Sequence, residues 1–319
     1  MKKVGIYAPW ASGDTIISSS VLKYKDIIWK DCYLVWFYVP SENPYAMQLH
    51  RTDKDMMFNN PWISELRPSM DDPLSIINLR IGGRQRSFGP PWMQLSVDKT
   101  QAGLLSPEKT HFESVKDLDL CFFPAPWANC DHLDVHFSLI SNFVFNFPAN
   151  LEIHPCLFFT PEEDQKAEQF IKNLPFKYSI MMETKYFSGQ SNWDDQTTET
   201  VINTCRSRLG DCNFIFASPN THHLFSGKGV VDCSQFTIRQ CIPIFNRCNL
   251  FLGVSSGISQ AICSWTANPL VKRIELINTL TISTSPIARG HLRTAFSQSQ
   301  ITEHLHAVLL EIKQNGINI

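Results

Sequence analysis

Three short stretches of this sequence hold residue types suited to chemistry. In APWASGDTIISSS (8–20), a Ser-Gly-Asp turn follows the apolar start VGIYA and ends on Asp14. A carboxylate there has two uses. It can cap the helix that resumes near Thr15, or it can stand at the mouth of an active site and take a proton from a hydroxyl within about 3 Å. In SSGISQAICSW (255–265), Ser255, Ser256 and Gly257 lead from an apolar run into helical spacing. Glycine lets a phosphate approach the backbone, the hydroxyls add donors, and the free N–H groups of a helix start favour an anion. An ordinary Ser-capped helix is the plainer reading of the same residues. Gln260, one turn on, can hydrogen-bond a phosphate or a hydroxyl but carries no charge. In ETKYFSGQSNW (183–193), Thr184 and Ser188 offer hydroxyls, Lys185 a cation, and Asn192 and Trp193 close the loop.

Metal chemistry has weaker signals. DKD (53–55) and DLD (117–119) satisfy an Asp-x-Asp pattern that can hold a divalent cation and a diphosphate, although DKD reads as a solvated loop and DLD as the entry to a strand. His132 and His136 in HLDVH can share a helix face, with no thiol or carboxylate converging on them. The expectation is that no metal is required. A GxxxxGK[ST] loop and a GxGxxG turn are both missing from the sequence, which weighs against ATP hydrolysis and dinucleotide redox chemistry. GVSSG (253–257) fits the GxSxG spacing with Ser255 as nucleophile, which keeps a hydrolase open.

These residues sit in a chain of 319, long enough for two domains, with 43% hydrophobic and 18% charged residues. A net charge of −2 argues against a broad nucleic-acid surface, leaving RIGGRQR (80–86) as a local basic patch. MKKVGIYAPW lacks the long apolar core of a signal peptide, and no apolar run approaches the roughly 20 residues of a membrane span. The ten cysteines are dispersed, with no CxxC pair, and read as reduced, buried thiols of a cytosolic protein.

Strand-like and helix-like segments alternate. Expected strands are VGIYA (4–8), YLVWFYV (33–39), SIINL (75–79) and LDLCFF (118–123), with a helix over 15–29 between the first two. The second half predicts helices at 160–174, 196–210, 237–248, 255–265 and 299–314, and strands at 178–183, 213–218 and 249–254. No internal repeat is visible. Such alternation implies parallel sheets covered on both faces, here as two α/β domains, 1–155 and 156–319, with a cleft between them. Ligands in such folds collect at the carboxyl ends of strands, which selects the turns at 9–14, 184–192 and 255–260.

The order of these segments resembles the heptosyltransferases of glycosyltransferase family 9. SGDTIISSSVLK is similar to the family's opening, DPLSIINLRIGGRQRS (72–87) to its strand and Gly-containing loop, and 132–163 to its helix leading into the second domain. CNLFLGVSSGISQAICSW (248–265) resembles its most recognisable segment. Ser255 stands where the family usually has Asp, and Gln260 where it has His. SGQSNW lacks the basic residue usual before the Trp, leaving Lys185 as the nearest cation.

The resemblance implies a GT-B fold, in which two Rossmann-like domains with parallel sheets face a central cleft. It also implies an inverting transfer of a sugar from a nucleotide diphosphate sugar to an acceptor hydroxyl, in surface glycan or lipopolysaccharide-type assembly. Asp14 would be the base. Ser12, Gly13, Thr184, Lys185, Ser188, Ser255, Ser256, Gly257 and Gln260 would bind the donor. The partners implied are that donor and a glycan or glycolipid acceptor, with no nucleic acid and no metal. The location implied is cytoplasmic, with room for a peripheral contact at the inner membrane. The replacements at 255 and 260 keep open a catalytically inactive nucleotide- or partner-binding module, and the shared architecture keeps open a sugar-nucleotide epimerase.

Overall fold

The apolar start becomes β1 (Lys3–Tyr7), buried from Val4 onward. The structure, a computed structural model, describes residues 1–8, 12–44, 54–71, 85–87, 94–96, 104–105, 113–122, 154–184, 191, 193–218, 225, 227–276, 292–295 and 297–315. The chain divides into two compact units, Met1–Phe158 and Phe159–Ile319.

In the first unit the helix expected after β1 is a broken helical run. It consists of α1 (Ser12–Ser18), a 3₁₀ segment (Ser19–Tyr24) and α2 (Lys25–Ile28). Ile16, Ile17, Val21 and Leu22 are its buried apolar side. The break has a local cause in the Ser18-Ser19-Ser20 run. The Ser19 hydroxyl donates back to the Ile16 carbonyl at 2.6 Å and accepts the Cys156 amide at 2.8 Å, and such back-bonding competes with the α-helical ladder.

β2 (Tyr33–Tyr38) pairs parallel to β1 from Lys3↔Tyr33 to Tyr7↔Phe37, and β3 (Glu65–Pro68) pairs parallel to β2. β4 (Gln85–Ser87) and β5 (Gln94–Ser96) form a separate antiparallel pair. β6 (Leu104–Leu105) and β7 (Leu120–Phe122) complete a sheet ordered β3-β2-β1-β7-β6. β6 runs antiparallel to β7, so this sheet has an antiparallel edge where parallel strands alone were expected. The strand expected at 75–79 lies outside the described residues.

The second unit begins with α3 (Pro161–Lys172), whose start the sequence announces. Thr160 and Glu163 form a reciprocal capping box, with Pro161 in the first turn. β8 (Tyr178–Glu183), α4 (Asp195–Leu209) and β9 (Cys212–Phe216) follow. Asp194 caps α4, and Gly210, at φ 82°, ends it in a backbone conformation that favours glycine. Next come β10 (Val230–Asp232), α5 (Cys241–Phe245), β11 (Leu250–Val254), α6 (Gly257–Ala261), β12 (Lys272–Leu276), β13 (Leu292–Ala295) and α7 (Gln298–Asn315). Two of the expected helices are therefore much shorter. The 237–248 segment is a turn and then α5, and 255–265 yields only the five residues of α6.

This sheet is parallel throughout, ordered β10-β9-β8-β11-β12-β13. Numbered within the unit, that is the doubly wound order 3-2-1-4-5-6. One face buries Ile180, Met182, Phe214, Leu252 and Ile274 against Val201 and Cys205 of α4 and Leu305 and Leu309 of α7. The other face carries Met181, Glu183, Phe251, Gly253, Arg273 and Glu275, the alternate positions of the same strands. The charges in the sheet thus lie on the side away from the main apolar core.

Candidate active site

In a doubly wound sheet, the order in which strands are added reverses between the first and fourth strands, which opens a crevice at their carboxyl ends. Here those strands are β8 and β11. Gly253 of β11 pairs in register with Glu183, the last residue of β8. Thr184 follows β8 directly, and Ser255 and Ser256 follow β11, so two of the sequence-predicted turns come together at the switch point. Thr184 and Ser255 are both buried. Lys185, Ser188 and Asn192 lie outside the described residues.

The Ser256 turn is built locally. Ser256 has extended backbone, and its hydroxyl accepts the Ser259 amide at 3.2 Å, while the Ser259 hydroxyl accepts the Ser256 amide at 2.9 Å. The Ser256 hydroxyl oxygen accepts this cap bond, which leaves its O–H able to donate. Gly257 and Ile258, the first amides of α6, have no carbonyl one turn earlier to bond. With five residues, α6 sums few peptide dipoles, so an anion here would depend on direct N–H contacts more than on a helix dipole. Gln260 is 3% exposed, and its Nε2 donates to the Ser259 hydroxyl at 3.4 Å. Trp193 is buried, and its indole N–H donates to the Thr198 hydroxyl of α4 at 2.8 Å, fastening the end of the 184–193 loop.

Sequence reasoning missed the acid at this edge. Glu183 is 4% exposed and accepts a hydrogen bond from Ser218, just past β9. The available signal was simple: an acid ends an otherwise apolar strand where ligands collect. Nearby thiols are poor nucleophiles. A hydrogen bond with Cys233 and burial push the Cys241 thiol well above its ordinary value, and burial pushes Cys248 up as well.

In the first unit, α1 begins at Ser12, so Asp14 lies within its first turn. The helix does not start at Thr15 with Asp14 as its cap. Ser12 and Gly13 are half-buried. Thr15 is fully buried and donates to the Ala8 carbonyl at 3.0 Å, which pins the first turn of α1 to the end of β1. The same carboxyl edge is polar. The Tyr7 hydroxyl donates to Ser69 at 3.1 Å, and the Asn43 amide donates to the carbonyls of Ser69 at 2.8 Å and Asp71 at 3.0 Å. Sequence reasoning overlooked Tyr7, Asn43 and Ser69 too, because they come from three separate strand ends.

The Asp-x-Asp pattern at 117–119 is taken up by structure. Asp117 binds Lys3 and both terminal nitrogens of Arg67, and Asp119 accepts the Lys3 amide at 2.6 Å. Hydrogen bonding from Arg67, then from Lys3, holds the Asp117 carboxyl down to about 2. Asp53 of DKD and the histidines of HLDVH lie outside the described residues. Among the described residues, no three His, Cys, Asp or Glu side chains are grouped to hold a metal ion.

No protein-family profile matches the chain, and no curated protein matches it. Solved structures do. A family 9 glycosyl transferase from Veillonella parvula aligns over 97% of both chains with a TM-score of 0.62 at 13% identity. E. coli ADP-heptose lipopolysaccharide heptosyltransferase II aligns over 98% of this chain and 100% of its own, with a TM-score of 0.55 at 10% identity. E. coli heptosyltransferase WaaC, solved with ADP, aligns over 98% and 97%, with a TM-score of 0.51 at 10% identity. The fold is GT-B. At these identities the likeness establishes the GT-B architecture, and the chemistry rests on the residues.

Proposed function

We propose that the protein is an inverting glycosyltransferase that moves a sugar from a nucleotide diphosphate sugar to an acceptor hydroxyl. The observation that carries this is the switch point of the second sheet. The doubly wound order brings Thr184 beside the Ser255–Gly257 turn at the edge where such folds take nucleotides. Thr184, Lys185, Ser188, Ser255, Ser256, Gly257 and Gln260 would form the donor site, with Gln260 acting from beneath the turn. The same reading gives Ser12 and Gly13 a part in donor binding and makes Asp14 the base that deprotonates the acceptor. Transfer needs no metal in this scheme.

The likeness to lipopolysaccharide heptosyltransferases supports a glycan or glycolipid of the bacterial surface as the acceptor class. A cytoplasmic location, with room for a peripheral contact at the inner membrane, belongs to the same reading. Among the described residues no helix is long and apolar enough to cross a membrane.

A thermal-shift screen of ADP-, GDP-, UDP- and CDP-sugars, followed by product analysis with and without acceptor, tests this reading. Stabilisation by one donor together with its turnover supports a transferase. A changed sugar nucleotide without acceptor would reveal an epimerase. The burial of Gln260 favours a second reading, an inactive nucleotide-binding module. Stabilisation without turnover on any acceptor would select it.

A further inference from the structure

Arg273 is 1% exposed and stands in β12, between the fully buried strand β11 and the edge strand β13. Its guanidinium donates to Glu275 Oε1 at 3.2 Å, Cys263 Sγ at 3.0 Å and the Ile262 carbonyl at 3.4 Å, and its Nε has no partner among the described residues. Glu275 is equally buried. For stability alone this is a poor use of two interior positions, because a desolvated ion pair with an unmet donor does no better than well-packed apolar side chains.

What the pair does provide is direction. Cys263 accepts from Arg273 and donates to the Ser259 carbonyl at 3.1 Å. Ser259 is the other half of the Ser256 capping box, and its hydroxyl also donates to the Ser256 carbonyl at 3.0 Å. A continuous chain of hydrogen bonds therefore runs from Glu275 through Arg273, Cys263 and Ser259 to Ser256, from inside the sheet to the turn at the end of β11. A helix of five residues cannot hold its own shape, since nucleation costs more than one turn returns. Its position must be set from outside, and this chain of bonds reaches it.

We propose that the buried Arg273–Glu275 pair, acting through Cys263, sets the position of the Ser256–Gly257 turn, so that Arg273 and Cys263 are positioning residues for the phosphate-bearing ligand of that turn. The ligand class rests on the donor-site reading above; the link between the pair and the turn does not.

Residue-resolved amide hydrogen exchange on the full chain, comparing wild type with Cys263→Ala and Cys263→Ser, tests the link. The amides of Gln260, Ile262 and Cys263 bond within α6 and its end. They should exchange about tenfold faster in Cys263→Ala. Cys263→Ser, whose hydroxyl both accepts and donates, should recover most of the protection, while amides of α4 and α7 keep their wild-type rates. Unchanged exchange at 260–263, or equal acceleration in α4 and α7, overturns the proposal. A second arm titrates ADP, GDP, UDP and CDP by thermal shift. A nucleotide that stabilises the wild type should bind Cys263→Ala about tenfold more weakly, with Cys263→Ser between the two. Accelerated exchange with unaltered affinity overturns the positioning role. If none of the four stabilises the wild type, the donor reading fails, and the exchange arm alone decides whether the chain of bonds governs the turn.

Discussion

Gly253 lies in register against Glu183, and a Cβ at Gly253 would sit 2.7 Å from the Glu183 carbonyl oxygen and 2.9 Å from its Cβ. The two strands that flank the switch point are thus packed too tightly for any side chain at this position. Gly253→Ala must push β8 and β11 apart or displace the Phe251 ring, whose Cζ would be 3.0 Å away. The expected cost is about 1–3 kcal/mol, measured by urea unfolding. The carboxyl ends that carry Thr184 and Ser255 should shift with it.

The start of the second unit depends on a buried cation. Arg239, 1% exposed, forks onto both oxygens of Glu163, and Gln240 donates to the same carboxylate at 2.9 Å. Burial raises the Glu163 carboxyl, and these bonds with the Thr160 amide more than offset it, leaving the group below its usual range. Arg239→Leu strands this carboxylate against α3 and should destabilise the protein by about 3 kcal/mol. Adding Glu163→Gln in a double-mutant cycle should recover part of that loss.

Asp117 makes the acid limb of stability predictable. Its folded value, about 2, lies below the ordinary 3.8, so its contribution is present above pH 4 and fades as pH falls through 2. The side chain is 49% exposed, so the effect is modest and weakens with salt. Asp117→Asn should lower stability at neutral pH and flatten the fall between pH 4 and pH 2, read by urea midpoints across that range.

The described cysteines are buried. Burial pushes the thiol of Cys156 up to about 12 and that of Cys212 up to about 11. Iodoacetamide at pH 8 should leave both unlabelled in the native protein and modify both after denaturation, by peptide mass spectrometry.

Much of this fold is legible in the sequence, and the missed strands β12 and β3 share a cause. β8, β9 and β11 are apolar runs ended by turn residues, α3 declares its start with Thr160-Pro161, and α4 its end with Gly210. β12 was not recognised because KRIEL carries Arg273 and Glu275, whose charges are matched by partners that only the tertiary structure brings together. β3 was missed for a related reason. It is the edge strand ELRP, half-buried, with Arg67 spanning Glu65 and Asp117. The helix at 255–265 was overread because apolar spacing continues past Ile262, where the chain instead turns. At the site, the strand-end turns were legible by the rule that ligands gather there. Glu183 was legible by the same rule and was passed over, whereas Tyr7 and Asn43 were not legible, since each meets partners distant in sequence.

The central claim is that Asp14 is the base of a sugar transfer, and the kcat of Asp14→Asn against wild type tests it most directly, with the donor found by the screen and a hydroxyl acceptor. The account predicts a fall of about 10² to 10⁴-fold, with donor affinity and melting temperature unchanged. An Asp14→Asn enzyme that turns over at the wild-type rate would contradict it.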